Sequence, residues 1–269
     1  MNERNTAQSP RWEELLQKAV SEPGIISQAY SRFHSYSFGN QMLAALQCGA
    51  RGLPLGPIGT FMHWKENGRF VRKGEKAITL CMPITSKRTT EKHNDETGQD
   101  ETIEVGYTRF IYRNNWFVLA QTDGAEYTPA AMPEWSEAKA LQTLEVTRVD
   151  FTMTDGNCQG YAQKRTVAIS PLAEHPTRTL LHELAHVVLG HTAERMNDSG
   201  ELTPRDIREL EAECTAMLVS ASLNLPGVEE SRGYIQSWYH DNTVPEQSAQ
   251  RIFSAADRIL KAGSMEVSQ

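Results

Sequence analysis

A chain of 269 residues, 39% hydrophobic and 23% charged, has room for two domains of ordinary size and the composition of a folded protein. That balance excludes collagen-like, wholly disordered and coiled-coil chains, and apolar runs such as those at 78–82 and 187–189 are far too short to span a bilayer. The net charge of −7 is uneven, with the acidic excess in the second half, a hint that the halves meet different partners.

The first ten residues are too polar for a secretory signal, and none of Cys48, Cys81, Cys158 and Cys214 forms a C-x-x-C pair. Both features suggest a reducing, cytoplasmic setting. In chain order, Ser9-Pro10 announces a first helix with Leu15, Leu16, Ala19 and Val20 on one face, ending at Pro23-Gly24. A second helical stretch, 26–47, is expected to break near Phe38-Gly39. Segment 60–68 reads either as a hairpin around Asn67-Gly68 or as a short helix capped by Thr60 and stopped by Gly68, and the helix is favoured. A strand is expected at 77–83, a mobile polar loop at 85–102, and a hairpin of strands 107–112 and 116–121 turning at Arg113-Asn114-Asn115.

Gly124, Pro129 and Pro133 mark a boundary, giving domains 1–125 and 139–269 joined by a linker at 126–138. The second half opens with a helix at 134–144 and strands at 147–153 and 166–170. Helices follow at 177–189, 203–223, 229–240 and 245–260. A helix, a small sheet and a helical remainder make the fold class α+β.

His182-Glu183-Leu184-Ala185-His186 carries the chemistry. Two histidines four apart share one helix face and can hold one cation, imidazole suits Zn²⁺, and Glu183 beside them is the catalytic base that takes a proton from the attacking water. A catalytic zinc commonly has three protein ligands. A metzincin would need Gly and His where Leu189 and Thr192 stand, and His191 is expected to point away and meet the last helical carbonyls. The next helix offers Glu209 and Glu213 on one face, with Glu211 nearly opposite. Glu209 is assigned as the third ligand and Glu213 as the residue orienting an imidazole, with the reverse left open. Strand 166–170 is the expected edge for a peptide substrate to extend, and Tyr161, Tyr234 and His240 are candidates for stabilising an oxyanion.

In the first half, Lys65, Arg69, Arg72, Lys73 and Lys76 are interleaved with Trp64 and Phe70, the combination of charge and rings expected of a single-strand DNA binder. A solvated basic face over a core explains the same residues equally well.

With these strings in view, the chain resembles the ArdC antirestriction family. The likeness rests on Tyr36 to Gln41, Trp64 with Gly68 to Lys76, and Leu119 to Gly124 in the first half. In the second it rests on His182 to His191 with Glu209 to Ala216, a part that is also similar to ImmA/IrrE regulatory metalloproteases. The resemblance implies an N-terminal α+β domain that binds single-stranded DNA and a zincin-like (gluzincin) metallopeptidase domain, serving a plasmid or integrating element during conjugation. The alternative it leaves is an ImmA/IrrE-like protease that cuts a repressor and has no DNA affinity.

Overall fold

The computed structural model describes residues 11–94, 99–153, 156–193, 203–241 and 243–265. The chain opens with α1 (Trp12–Ser21), α2 (Ile25–Phe33) and α3 (Phe38–Ala50). The break between α2 and α3 falls where it was expected, just before Phe38-Gly39. The apolar face predicted for α1 is buried at Leu15, Leu16, Ala19 and Val20. The cap expected from Ser9 lies outside the described residues, and the free backbone N–H groups of Trp12 and Glu13 instead donate to the Glu246 carboxylate, each at 3.0 Å.

Next come β1 (Ile58–Thr60), α4 (Phe61–Glu66), β2 (Arg69–Val71), β3 (Ile78–Asn94), β4 (Gln99–Val118) and β5 (Thr122–Gly124). Thr60 caps α4, its hydroxyl accepting from the His63 N–H at 3.2 Å, so the helical reading of this segment holds. The reading of 85–102 as a loop does not. Strands β3 and β4 run antiparallel from Ile78↔Trp116 to Asn94↔Gln99, so most of that polar tract is strand. The expected turn at 113–115 is also absent: β4 runs straight through, and a bulge that skips Asn115 opposite Ile78/Thr79 resets the register. Beyond the bulge, Trp116 and Val118 are buried, and β4 also pairs with β1.

The remainder comprises β6 (Glu134–Trp135), α5 (Glu137–Thr143), β7 (Thr147–Arg148), β8 (Gly160–Gln163), β9 (Thr166–Ile169), α6 (Pro176–Leu189), α7 (Arg205–Ser222), α8 (Val228–Asp241), α9 (Glu246–Gly263) and β10 (Ser264–Met265). The helix expected from 134 starts at Glu137 behind the cap Ser136, because Glu134 and Trp135 pair with β10. The strand at 147–153 shrinks to Thr147–Arg148. Strand β8 was not foreseen. It turns into β9 through Lys164 at φ 52°, a left-handed position with no glycine or asparagine to announce it.

By compactness the chain divides at 125, where the break was expected, and also after Pro57, which was not expected. One unit comprises the chain up to Pro57 together with the chain from Glu126, and the other is Ile58–Ala125. The reason is the amphipathic character of the first helices, whose apolar faces find cover in the second half: α1 packs on α8 and α9, α2 on α7, and α3 on α9.

Helix α9 organises this unit by matching its charges to helix ends. Its Glu246 meets the α1 N-terminus, and Asp257 accepts from the Phe38 N–H of α3 at 3.2 Å. Its Arg251 and Arg258 donate to the Leu189 and Val188 carbonyls at the α6 C-terminus, at 2.9 and 3.3 Å. Carboxylates at N-termini and guanidiniums at a C-terminus are the favourable pairing with helix dipoles.

Candidate functional site

Helix α6 starts on Pro176, packs Leu180, Leu181, Leu184 and Ala185 inward, and stops at Gly190 in the left-handed region at φ 79°. That burial fixes the rotation of the helix and presents His182 and His186 to α7, where Ala212 and Ala216, both fully buried, allow close approach. The Nε2 atoms of the two histidines are 3.2 Å apart. Glu209 brings Oε2 to 3.6 Å from His182 Nε2 and 3.5 Å from His186 Nε2. The three donor atoms lie within 4.8 Å of one another, the spacing a single metal ion requires.

Glu213 takes a different place. Its Oε2 is 2.9 Å from Nδ1 of His182, on the far side of the ring, and its other oxygen is ion-paired with Arg178. A carboxylate there accepts the Nδ1–H, so that a neutral His182 ring turns its Nε2 lone pair towards His186 and Glu209. His191 departs from its expectation. Rather than meeting helical carbonyls with its ring, it sets Nδ1 3.0 Å from His186 Nδ1 and Nε2 2.8 Å from Glu211, and both side chains are buried. Neither Arg178 nor the His191–Glu211 pair was identified from the sequence. Arg178 stands one helical turn before His182, a spacing that could have flagged it, whereas His191 reaches its place only through the reversal at Gly190.

Three electron-pair donors facing one another need a shared positive charge, either a proton or a metal ion. In the protein alone that charge is a proton on His182: burial opposes it, but hydrogen bonds to Glu209 and Glu213 outweigh burial and raise the ring to about 9. The same bonds, from both His182 and His186, hold Glu209 far below the usual carboxylate range. Glu213 is also lowered, burial being overcome by the His182 ring. Glu183 is raised, chiefly by burial. A buried carboxylate of raised proton affinity beside two imidazoles has the properties of a general base.

A cavity of about 430 Å³ opens over these groups, with Gly160, Tyr161 and Ala162 of β8 along one wall and Arg205 and Arg208 along another. The sheet of order β7-β9-β8 pairs β9 with β8 along its whole length and with β7 at Thr166 and Val167, so β9 is the central strand and not the edge expected to take up a substrate. The edge strand beside the cavity is β8. Gly160 is needed there, since a Cβ would lie 2.9 Å from Thr179 Cγ2, 3.1 Å from the Ala168 carbonyl and 3.1 Å from Glu183 Cγ. Of the oxyanion candidates, Tyr161 lines the cavity, Tyr234 is half exposed and is raised by burial and by Glu209 and Glu213, and the His240 side chain lies outside the described residues.

In the smaller unit the DNA-binding candidates separate. Trp64 is fully buried and donates its Nε1–H to the Phe117 carbonyl at 2.9 Å, so it cannot offer a face to a base. Arg69 spends its fork on Thr122 and the Ala125 carbonyl, tying β2 to the chain after β4. Arg72 is engaged by Glu75 at 2.8 Å, by Asp123 at 3.4 Å and by the Ala120 carbonyl. Lys65, Lys73 and Lys76 are exposed, as is Phe70, which shares this unit's exposed surface with Phe61, Tyr107 and Phe110.

Residues 4–113 match the N-terminal domain of anti-restriction factor ArdC, and residues 142–251 match the IrrE N-terminal-like domain of the M78 peptidases. Among curated proteins none matches the chain. Two crystal structures of the antirestriction ArdC protein from plasmid R388 are similar. The Mn(II)-bound form has 22% identity and a TM-score of 0.50, covering 94% of this chain and 97% of that one. The metal-free form has 19% identity and a TM-score of 0.47, covering 94% of each. Among the described residues, no helix is long and apolar enough to cross a membrane.

Proposed function

The chain is ArdC-like, with an anti-restriction-factor N-terminal domain and an IrrE-like domain in one polypeptide, and on that premise we propose that it is an antirestriction protein of a mobile element that binds single-stranded DNA and hydrolyses a peptide bond with zinc. The observation that carries the hydrolase is the meeting of His182, His186 and Glu209 on one point beside buried Glu183. Two imidazoles and a carboxylate suit Zn²⁺, and the Mn(II) in the R388 protein supports a divalent ion in this fold.

Bound zinc supplies Lewis-acid polarisation of the reacting oxygens. The chain's own residues do the rest. Strand β8 receives the peptide as an added antiparallel strand and holds it across the cavity. Glu183 takes the proton of the attacking water and passes it to the departing amine, its raised proton affinity suiting both transfers. Glu213, braced by Arg178, keeps the His182 ring turned so that Nε2 stays available.

DNA binding rests on the ArdC N-terminal match and on exposed Lys65, Lys73, Lys76 and Phe70, which combine charge with a ring on which a base can stack. The IrrE-like match favours a second reading, a regulatory protease that cuts a repressor without DNA affinity. Fluorescence anisotropy with labelled single-stranded oligonucleotides at two salt concentrations divides them: salt-sensitive binding supports the first reading, and a flat response at low salt leaves only the second. For the hydrolase, metal analysis of the purified protein should find one zinc, and Glu183→Gln should keep it while losing cleavage. Protection against restriction that survives unchanged in Glu183→Gln would make the metal site structural.

A further inference from the structure

His182 and His186 are held from behind by different chemistry. His182 is backed directly by a carboxylate, Glu213, at 2.9 Å. His186 is backed by another imidazole, that of His191, whose side chain is only 3% exposed. Beyond it stands Glu211, with a side chain of 0% exposure, accepting from His191 Nε2 at 2.8 Å. The second oxygen of Glu211 lies 3.3 Å from the Arg251 guanidinium of α9.

The charged pair at the far end of this row sets the order of protons. Glu211, beside Arg251, accepts, so His191 carries its hydrogen on Nε2. The lone pair of His191 Nδ1 then accepts from His186 Nδ1–H across 3.0 Å. Reversing the row would put a hydrogen on His186 Nε2, the atom that faces His182 and Glu209. We propose that His191 and Glu211 are positioning residues of the cation site, fixing the ring angle and tautomer of His186 so that its Nε2 lone pair is presented to the metal. The inference rests on the metal-site reading above and adds to it a support that acts through His186 alone.

The test uses the full-length protein labelled with ¹⁵N-histidine, zinc affinity from competition with a chromophoric chelator, and the variants His191→Phe and His191→Asn. Long-range ¹H–¹⁵N spectra should show His186 as the Nδ1–H tautomer and His191 as the Nε2–H tautomer. His191→Phe should weaken zinc binding about 10- to 100-fold, the usual cost of losing a partner behind a metal ligand. His191→Asn, whose Oδ1 can take the place of the Nδ1 acceptor, should recover affinity to within a few-fold of the parent. A residue that merely filled space would change the melting temperature in both variants and the zinc affinity in neither. The opposite tautomers, unchanged affinity in His191→Phe, or an equal loss in both variants would overturn the proposal, and the spectra of the parent protein decide the matter even if His191→Phe fails to fold. Failure of the parent to bind zinc would instead remove the metal site itself, and the positioning role with it.

Discussion

On the proposed metal-site reading, glutamine substitutions at Glu209 and Glu213 should separate a ligand from its support, because the two carboxylates address opposite sides of the same imidazole. Glu209 Oε2 is 3.6 and 3.5 Å from the two Nε2 atoms, whereas Glu213 Oε2 is 2.9 Å from His182 Nδ1 and never faces the cavity side of the ring. Glu213→Gln keeps an acceptor of the same shape and loses only its charge. A charge-assisted hydrogen bond contributes about 1.5–3 kcal/mol and a neutral one about 0.5–1.5 kcal/mol, so the difference is about 1–2 kcal/mol. At about 1.4 kcal/mol per decade, zinc should bind roughly 5- to 30-fold more weakly. Glu209→Gln removes one of three donors, and stoichiometric zinc should be lost on dialysis. Chelator competition and elemental analysis read both. Retained zinc in Glu209→Gln with loss in Glu213→Gln would exchange their roles, and no change in either would move the cation away from this cluster.

Gly160→Ala should lower stability by about 1–3 kcal/mol, the usual cost of overpacking, since the Ala168 carbonyl 3.1 Å away belongs to the sheet and cannot yield; an unchanged melting temperature would mean that β8 does not press on α6. Stability of the metal-free protein should be greatest between about pH 4.5 and 6.5. Glu213, lowered from 4.5 to about 2, loses its contribution as pH falls through that interval, and His182, raised from 6.5 to about 9, loses its contribution as pH rises through its own. Denaturation across pH checks this, and Glu213→Gln should flatten the acid limb. Phe70→Ala should weaken oligonucleotide binding with little effect on the fold, because the ring is 59% exposed, whereas Trp64→Ala should cost about 3–5 kcal/mol of stability; anisotropy and thermal unfolding on both variants would expose the reverse.

The helical part of the site was legible because spacing on a helix fixes direction: His182 with His186, and Glu209 with Glu213, needed only 3.6 residues per turn. Sequence gave no handle on what depends on a reversal of the chain. His191 returns to His186 through Gly190, and β8 exists through a turn at Lys164-Arg165 that lacks the usual turn residues. The long hairpin was misread for another reason. From Thr85 to Thr90, residues on both faces of β3 are exposed or half exposed, so no alternation of apolar and polar residues advertises a strand. In the Trp64 region, charge and rings were visible but burial was not, and burial is what decides which ring can meet a base.

The pairing of the first helices with the last has a consequence for how the chain is made. Residues 58–125 are contiguous and their long-range contacts are largely those of one hairpin, so this unit can close while synthesis continues. Helices α1 and α3 emerge early yet wait for Glu246 and Asp257, nearly the whole length of the polypeptide later. Until then the parts of their apolar faces that α9 covers stay open on the ribosome, where a chaperone or premature aggregation competes with assembly. Removing α9 should therefore yield insoluble protein rather than a shortened peptidase.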